Sequence, residues 1–190
     1  MKKKLIALTL AAALPFAASA ADGVSYNYVQ AGYDAASIGN FDATGWKLEG
    51  SAAVHPNFHV FGDYSQLDID DSPFDVDQWR LGVGYNHEIS PKTDLLTRVA
   101  YEKKDFGSGF DFDGYSVEAG ARANLLPQLN GYALAGYESI DSNGWLEDDS
   151  NFYGRFGAEY AFNQNWSVSG EIKLINGGDN EWTIGPRFVW

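Results

Sequence analysis

Asp77-Gln78-Trp79-Arg80-Leu81-Gly82-Val83-Gly84-Tyr85-Asn86 alternates without a break. Trp79, Leu81, Val83 and Tyr85 are apolar, and Gln78, Arg80, Gly82 and Gly84 stand between them. In a strand, side chains at i and i+2 share a face, so this segment has one greasy side and one polar side. The parity recurs along the chain. Of the ten Lys and Arg residues beyond Ala20, seven lie between neighbours such as Trp46/Leu48, Ala121/Ala123 and Ile172/Leu174. These are Lys47, Arg80, Arg98, Arg122, Arg155, Lys173 and Arg187. A soluble sandwich would turn its charges to water and its apolar residues to a core. Here the apolar face is too aromatic, and the repeat too regular, for that arrangement. The pattern predicts an all-β chain forming a single antiparallel, up-and-down transmembrane β-barrel, apolar outside and charged inside.

The strands can be counted from the turns. His55-Pro56-Asn57, Ser90-Pro91-Lys92, Leu126-Pro127-Gln128 and Asn163-Gln164-Asn165 are tight connections, and their central residues are 35, 36 and 37 positions apart. Pro presets φ and Asn tolerates left-handed geometry, which suits both to short turns. Longer, acidic connections alternate with them, near 39–43, 68–75, 104–113, 140–150 and 176–180. Five long loops and four short turns join ten strands, with eight as the alternative count. The predicted strands are Ser25–Ile38, Thr44–Val54, Phe58–Leu67, Val76–Asn86, Thr93–Lys103, Gly114–Asn124, Leu129–Ser139, Asn151–Phe162, Trp166–Ile175 and Glu181–Trp190. Most have about ten residues, the length a tilted strand needs to cross a bilayer core. An even count is expected to place the start of the first strand and the end of the last on the short-turn side, which is periplasmic in bacterial outer-membrane barrels.

Met1–Ala20 reads as a cleavable secretory leader: Lys2, Lys3 and Lys4, a short apolar run, then the small-x-small site Ala18-Ser19-Ala20. The barrel domain is then residues 21–190. Removing three lysines takes the formal charge from −13 to −16, which argues against nucleic acid as a partner. The chain has no cysteine, so disulfides, thiolate nucleophiles and thiolate metal sites are excluded.

The inward parity also carries Glu49, Asp63, Glu102, Glu118, Glu138, Glu159, Glu171 and Glu181. With Lys47, Arg80, Arg98, Arg122, Arg155, Lys173 and Arg187 these charges are expected to form a salt-bridged plug in a narrow lumen, since buried ions are costly unless paired. A narrow pore for ions or small solutes is the rival expectation. Mid-strand glycines fit kinks and close inward packing. Catalysis would need a His with a carboxylate or Ser in reach. His55, His59 and His87 all lie beside predicted periplasmic turns, and no residue is nominated as catalytic. Asp68, Asp70, Asp71 and Asp75 offer hard oxygen ligands for a divalent cation bridging to lipid phosphate, or simply a solvated surface. They do not form an EF-hand, because Pro73 and Trp79 stand where Gly and Glu are required. No other cofactor is expected. The partners expected are outer-membrane lipid and lipopolysaccharide, around a monomer.

Gly23-Val24-Ser25-Tyr26-Asn27-Tyr28-Val29, the run from Val54 to Tyr64, the run from Asp77 to Glu88, and Gly185-Pro186-Arg187-Phe188-Val189-Trp190 resemble the xanthomonad outer-membrane barrels labelled a sulfation-dependent quorum factor family. The resemblance covers residues 21–190. It implies location in the outer membrane of a Gram-negative bacterium and a signalling role through export of a tyrosine-sulfated N-terminal fragment, with the modified residue mapping to Tyr26. The aromatic ending Phe188-Val189-Trp190 resembles the terminal pattern that the barrel-assembly machinery recognises.

Overall fold

The computed structural model describes residues 20–39, 41–70, 75–106, 111–141 and 149–190. The leader, apart from Ala20, lies outside them. Ten strands run β1 Tyr28–Ile38, β2 Phe41–His55, β3 Phe58–Ile69, β4 Asp75–Ser90, β5 Thr93–Asp105, β6 Asp111–Leu126, β7 Leu129–Asp141, β8 Asp149–Ala161, β9 Trp166–Ile175 and β10 Asn180–Val189. Each pairs antiparallel with the next, and β10 closes on β1 with Tyr28 opposite Val189. Closure leaves no unpaired edge, the condition for putting β structure in hydrocarbon.

The alternation of β4 decides the two faces. Leu81, Val83 and Tyr85 point outward and are exposed, while Arg80 and Asn86 point into the lumen and are buried. Aromatic rings gather at two levels on the outside. Trp46 with Tyr64 (5.4 Å) and Trp79 with Tyr101 (5.3 Å) lie toward the long loops. Phe58 with Tyr85 (5.1 Å) and Trp166 with Phe188 (5.1 Å) lie toward the short turns. Trp79 and Tyr85 are six residues apart, about 20 Å along the strand, which separates the two interfacial girdles.

Several strands run longer than the sequence periodicity indicates, because a paired ladder continues past the bilayer until a turn breaks it. At the three proline turns the break is a register shift one residue ahead, between Ala53 and His55, Glu88 and Ser90, and Asn124 and Leu126. Such bulges sharpen the twist into the turn. At the fourth turn the Asn163 side chain accepts from the backbone N–H of Asn165 and of Trp166, both at 2.9 Å. The first strand, in contrast, is shorter than the sequence reading. β1 begins at Tyr28 rather than Ser25, and residues 21–27 fold into the periplasmic mouth.

Inward glycines seat aromatic rings from the strand alongside. His59 is opposite Gly84, Phe61 opposite Gly82, Tyr153 opposite Gly136 and Tyr132 opposite Gly157. A Cβ on Gly136 would stand 2.3 Å from Cζ of Tyr153, whereas one on Gly170 would meet nothing nearer than 3.9 Å. Gly136→Ala is therefore expected to cost about 1–3 kcal/mol by overpacking, and Gly170→Ala to be nearly neutral. Urea unfolding in lipid vesicles checks the contrast, and equal costs would refute this account of the packing.

Candidate functional site

Register puts opposite charges side by side in the lumen. Arg80 is the Cα partner of Asp63 on β3 and of Glu102 on β5, and Arg98 is the partner of Glu118 on β6. Glu118 is 2% exposed and lies at the centre of the cluster. Its carboxylate stands 2.8 Å from Nε of Arg98, 2.9 Å from Nε of Arg155 and 3.4 Å from Nη1 of Arg80, and accepts from the Tyr153 hydroxyl at 2.8 Å. Arg80 donates its Nε to Asp63 at 2.9 Å and reaches Glu102 at 3.9 Å, while the Ser116 hydroxyl donates to Glu102. Arg155 and Lys173 are register partners of like charge, and each has its own carboxylate. Arg155 also pairs with Glu171, and Lys173 with Glu138. Toward the long loops, Lys47 bonds Glu181 at 2.9 Å and stands 4.0 Å from Asp63.

The periplasmic half repeats the pattern around Glu159. Arg122 reaches it at 3.0 Å and Arg187 at 3.2 Å, and the Ser167 hydroxyl donates at 2.9 Å. Arg187 also donates Nε to Gln30 at 2.8 Å and approaches Glu49 at 3.8 Å. The Tyr28 hydroxyl donates to Glu49, and Tyr132 donates to Glu171. Rings fill the spaces between the charges. Arg80 and Arg98 lie 5.3 and 5.2 Å from the Phe61 ring, and Arg187 lies 3.9 Å from that of Tyr28. All fifteen charged residues assigned to the lumen from parity make ion pairs there. Two further carboxylates join them: Asp34, which accepts from Thr183 at 2.5 Å, and Asp94 near the periplasmic mouth. The lumen side chains line a void of about 30 Å³ beside Lys47, Arg80 and Lys173 and another of about 20 Å³ beside His59, Arg98 and Arg187. Each has room for only one or two waters.

Tyr26 lies inside the periplasmic mouth. It is 2% exposed, stacks on His59 at 4.6 Å, lies beneath Arg122 at 5.3 Å and donates its hydroxyl to Asp94 at 3.0 Å. Burial pushes its phenol well above the usual range. Asp68 faces Asp75 across β3 and β4, and the Asp70 N–H donates to the Asp42 carbonyl at 2.9 Å. Asp71 lies outside the described residues, among which no three metal-ligating side chains converge. Phe188 packs between Trp166 and Trp190.

These features define a closed, lumen-filled β-barrel of outer-membrane type. The chain belongs to the outer membrane protein beta-barrel domain family, whose profile matches residues 6–185. That membership locates it in the bacterial outer membrane. No curated protein matches it. Among solved structures, OmpT of Vibrio cholerae lacking loop L8 is 15% identical over 88% of this chain and 60% of its own, with a TM-score of 0.43. The present chain thus spans about 60% of the length of that relative. The NanC porin is 10% identical over 86% of this chain and 100% of its own, with a TM-score of 0.50. The translocator domain of the autotransporter NalP from Neisseria meningitidis is 11% identical over 89% of this chain and 90% of its own, at 0.47. These are likenesses of fold alone.

Proposed function

We propose that the protein is a sealed, non-enzymatic barrel whose work is done at the cell surface by its long acidic loops, in envelope structure, surface interaction or quorum-type signalling. The observation behind this reading is the filled lumen. A solute crossing it would have to part Glu118 from three arginines. On this reading the partners are membrane lipid, lipopolysaccharide phosphates bridged by divalent cations at Asp68, Asp70, Asp71 and Asp75, and the assembly machinery at Phe188 and Trp190. The barrel acts as a monomer. The rival reading is a narrow pore for ions or small solutes, and its support is the barrel shape shared with the NanC porin.

In planar bilayers the unaltered protein is expected to give no steady single-channel current. A variant combining Glu118→Ala, Tyr153→Ala and Arg155→Ala is expected to conduct, because it empties one level of the lumen. Steady current from the unaltered protein overturns the sealed reading in favour of the pore. The loop role is tested by shortening the acidic loops, and unchanged adhesion and envelope integrity would count against it. For the signalling reading, the Tyr26 hydroxyl sits against a buried carboxylate, so sulfation has to precede barrel closure or follow withdrawal of residues 21–27. A mass spectrum of the culture supernatant without a sulfated fragment containing Tyr26 would remove it.

A further inference from the structure

Asp94 is a buried carboxylate of the lumen, 0% exposed, that has no arginine or lysine paired with it among the described residues. Its register partner Arg122 is engaged instead with Glu159. The groups that reach it come from the N-terminal segment. The Tyr26 hydroxyl donates to Oδ2, and the backbone nitrogen of Ala21 donates to Oδ1, each at 3.0 Å. Ala21 is also the residue that follows the Ala18-Ser19-Ala20 cleavage signal.

The geometry points to a lock completed by processing: removal of the leader creates an α-ammonium on Ala21 that is the missing cation for Asp94. Hydrolysis of the Ala20–Ala21 bond consumes one water, leaving a carboxylate on the departing Ala20 and an amine on Ala21 that is protonated at neutral pH. The inference rests on the leader reading and is independent of whether the lumen conducts. An isolated buried carboxylate is costly, and a hydrogen-bonded opposite charge offsets that cost. Before cleavage the same nitrogen is an uncharged amide with a single N–H. Afterwards it carries a full charge and extra donors at a position the fold has already built.

Seating of the segment does not depend on that one contact. Ala21, Val24 and Tyr26 pack with Leu96 and Leu134, the Asp22 N–H donates to the Pro91 carbonyl at 2.8 Å, and Asn130 donates to the Gly23 carbonyl at 3.1 Å. Gly23 turns the chain at φ 79°, a left-handed conformation that side chains disfavour, with the Asn124 side chain filling the space a Cβ would need. Asn27 ties the segment to the wall by accepting from Ala53 at 2.8 Å through its side chain and from Trp190 at 3.3 Å through its carbonyl.

The test uses protein exported with its own leader and purified from outer membranes. Four forms are compared: the unaltered chain, Asp94→Asn, a chain with one glycine inserted between Ala20 and Ala21, and the two changes combined. The insertion moves the ammonium one residue away, about 3.8 Å along the chain. Intact mass establishes the first residue of each form. Two readouts follow, the urea midpoint in lipid vesicles and the rate at which the α-amine is reductively methylated. Unaltered protein is expected to start at Ala21, with methylation slowed at least about tenfold relative to the urea-unfolded chain, because reaction needs local opening. Asp94→Asn should lower the midpoint and weaken the protection, the remainder coming from the packing of Ala21, Val24 and Tyr26. In the inserted chain the same substitution should move the midpoint much less. The proposal is overturned if the mature chain starts elsewhere, if its α-amine reacts as fast folded as unfolded, or if Asp94→Asn lowers both midpoints equally. The first outcome removes the leader reading, and the other two remove the lock alone.

Discussion

Glu118→Ala is expected to destabilise the barrel by about 3–5 kcal/mol, because it strips the shared counter-charge from three buried guanidinium groups. Arg98 and Arg155 each lose a partner at under 3 Å, and Tyr153 loses its acceptor. Arg98 suffers most, since Arg80 retains Asp63 and Arg155 retains Glu171. Combining Glu118→Leu with Arg98→Met is therefore expected to recover part of the loss, because an apolar pair replaces the stranded charge instead of leaving it. The check is equilibrium urea unfolding in lipid vesicles, followed by tryptophan fluorescence and by mobility on a gel run without boiling. A loss below about 1 kcal/mol for Glu118→Ala would mean that water already screens the cluster and that the lumen is wet.

Val83→Arg addresses the opposite face. Val83 is 52% exposed, pairs across to Val99 and lies between the two girdles, so its substituent meets acyl chains. An arginine there is expected to cost about 2–4 kcal/mol in a bilayer. Leu125→Arg, next to the Leu126-Pro127 turn, should cost no more than about 1 kcal/mol, since it reaches the interface. The depth dependence is the informative part. A soluble sandwich would tolerate an arginine on its water-facing side at either position. Equal effects at Val83 and Leu125 would contradict the bilayer placement of the strands.

Much of the fold was legible because period-2 alternation needs no tertiary knowledge. Lys47, Arg80 and Arg155 are each flanked by apolar neighbours, and that alone assigns their faces. The proline spacing then counts the strands. The pairings within the lumen were not legible, because they depend on register. Glu118 could be placed inside from sequence, but nothing local told that Arg80, two strands away, would reach it. The seating of Tyr153 on Gly136 and Tyr132 on Gly157 was hidden for the same reason. Asp34 and Asp94 were readable in principle. Asp94 shares the parity of Arg98 and Glu102, and Asp34 that of Tyr28 and Gln30, but a search led by the cations passes over both. Residues 21–27 were misread for a different reason. Tyr26 and Tyr28 alternate as strand residues do, and only the pocket formed by Leu96, His59 and Asp94 draws the segment out of the wall.

The seam between β1 and β10 has a practical consequence. Tyr28 and Val189 sit opposite one another, and Asn27 already touches Trp190. A linker from Trp190 to Ala21 would close the chain on the periplasmic side, and the chain could be reopened at an outward connection. Such a circular permutant would keep the wall and the ion pairs while presenting free ends above the bilayer, where a peptide could be displayed. It would also carry Ala21 as an internal residue, giving a version of the barrel in which Asp94 never meets a terminal amine.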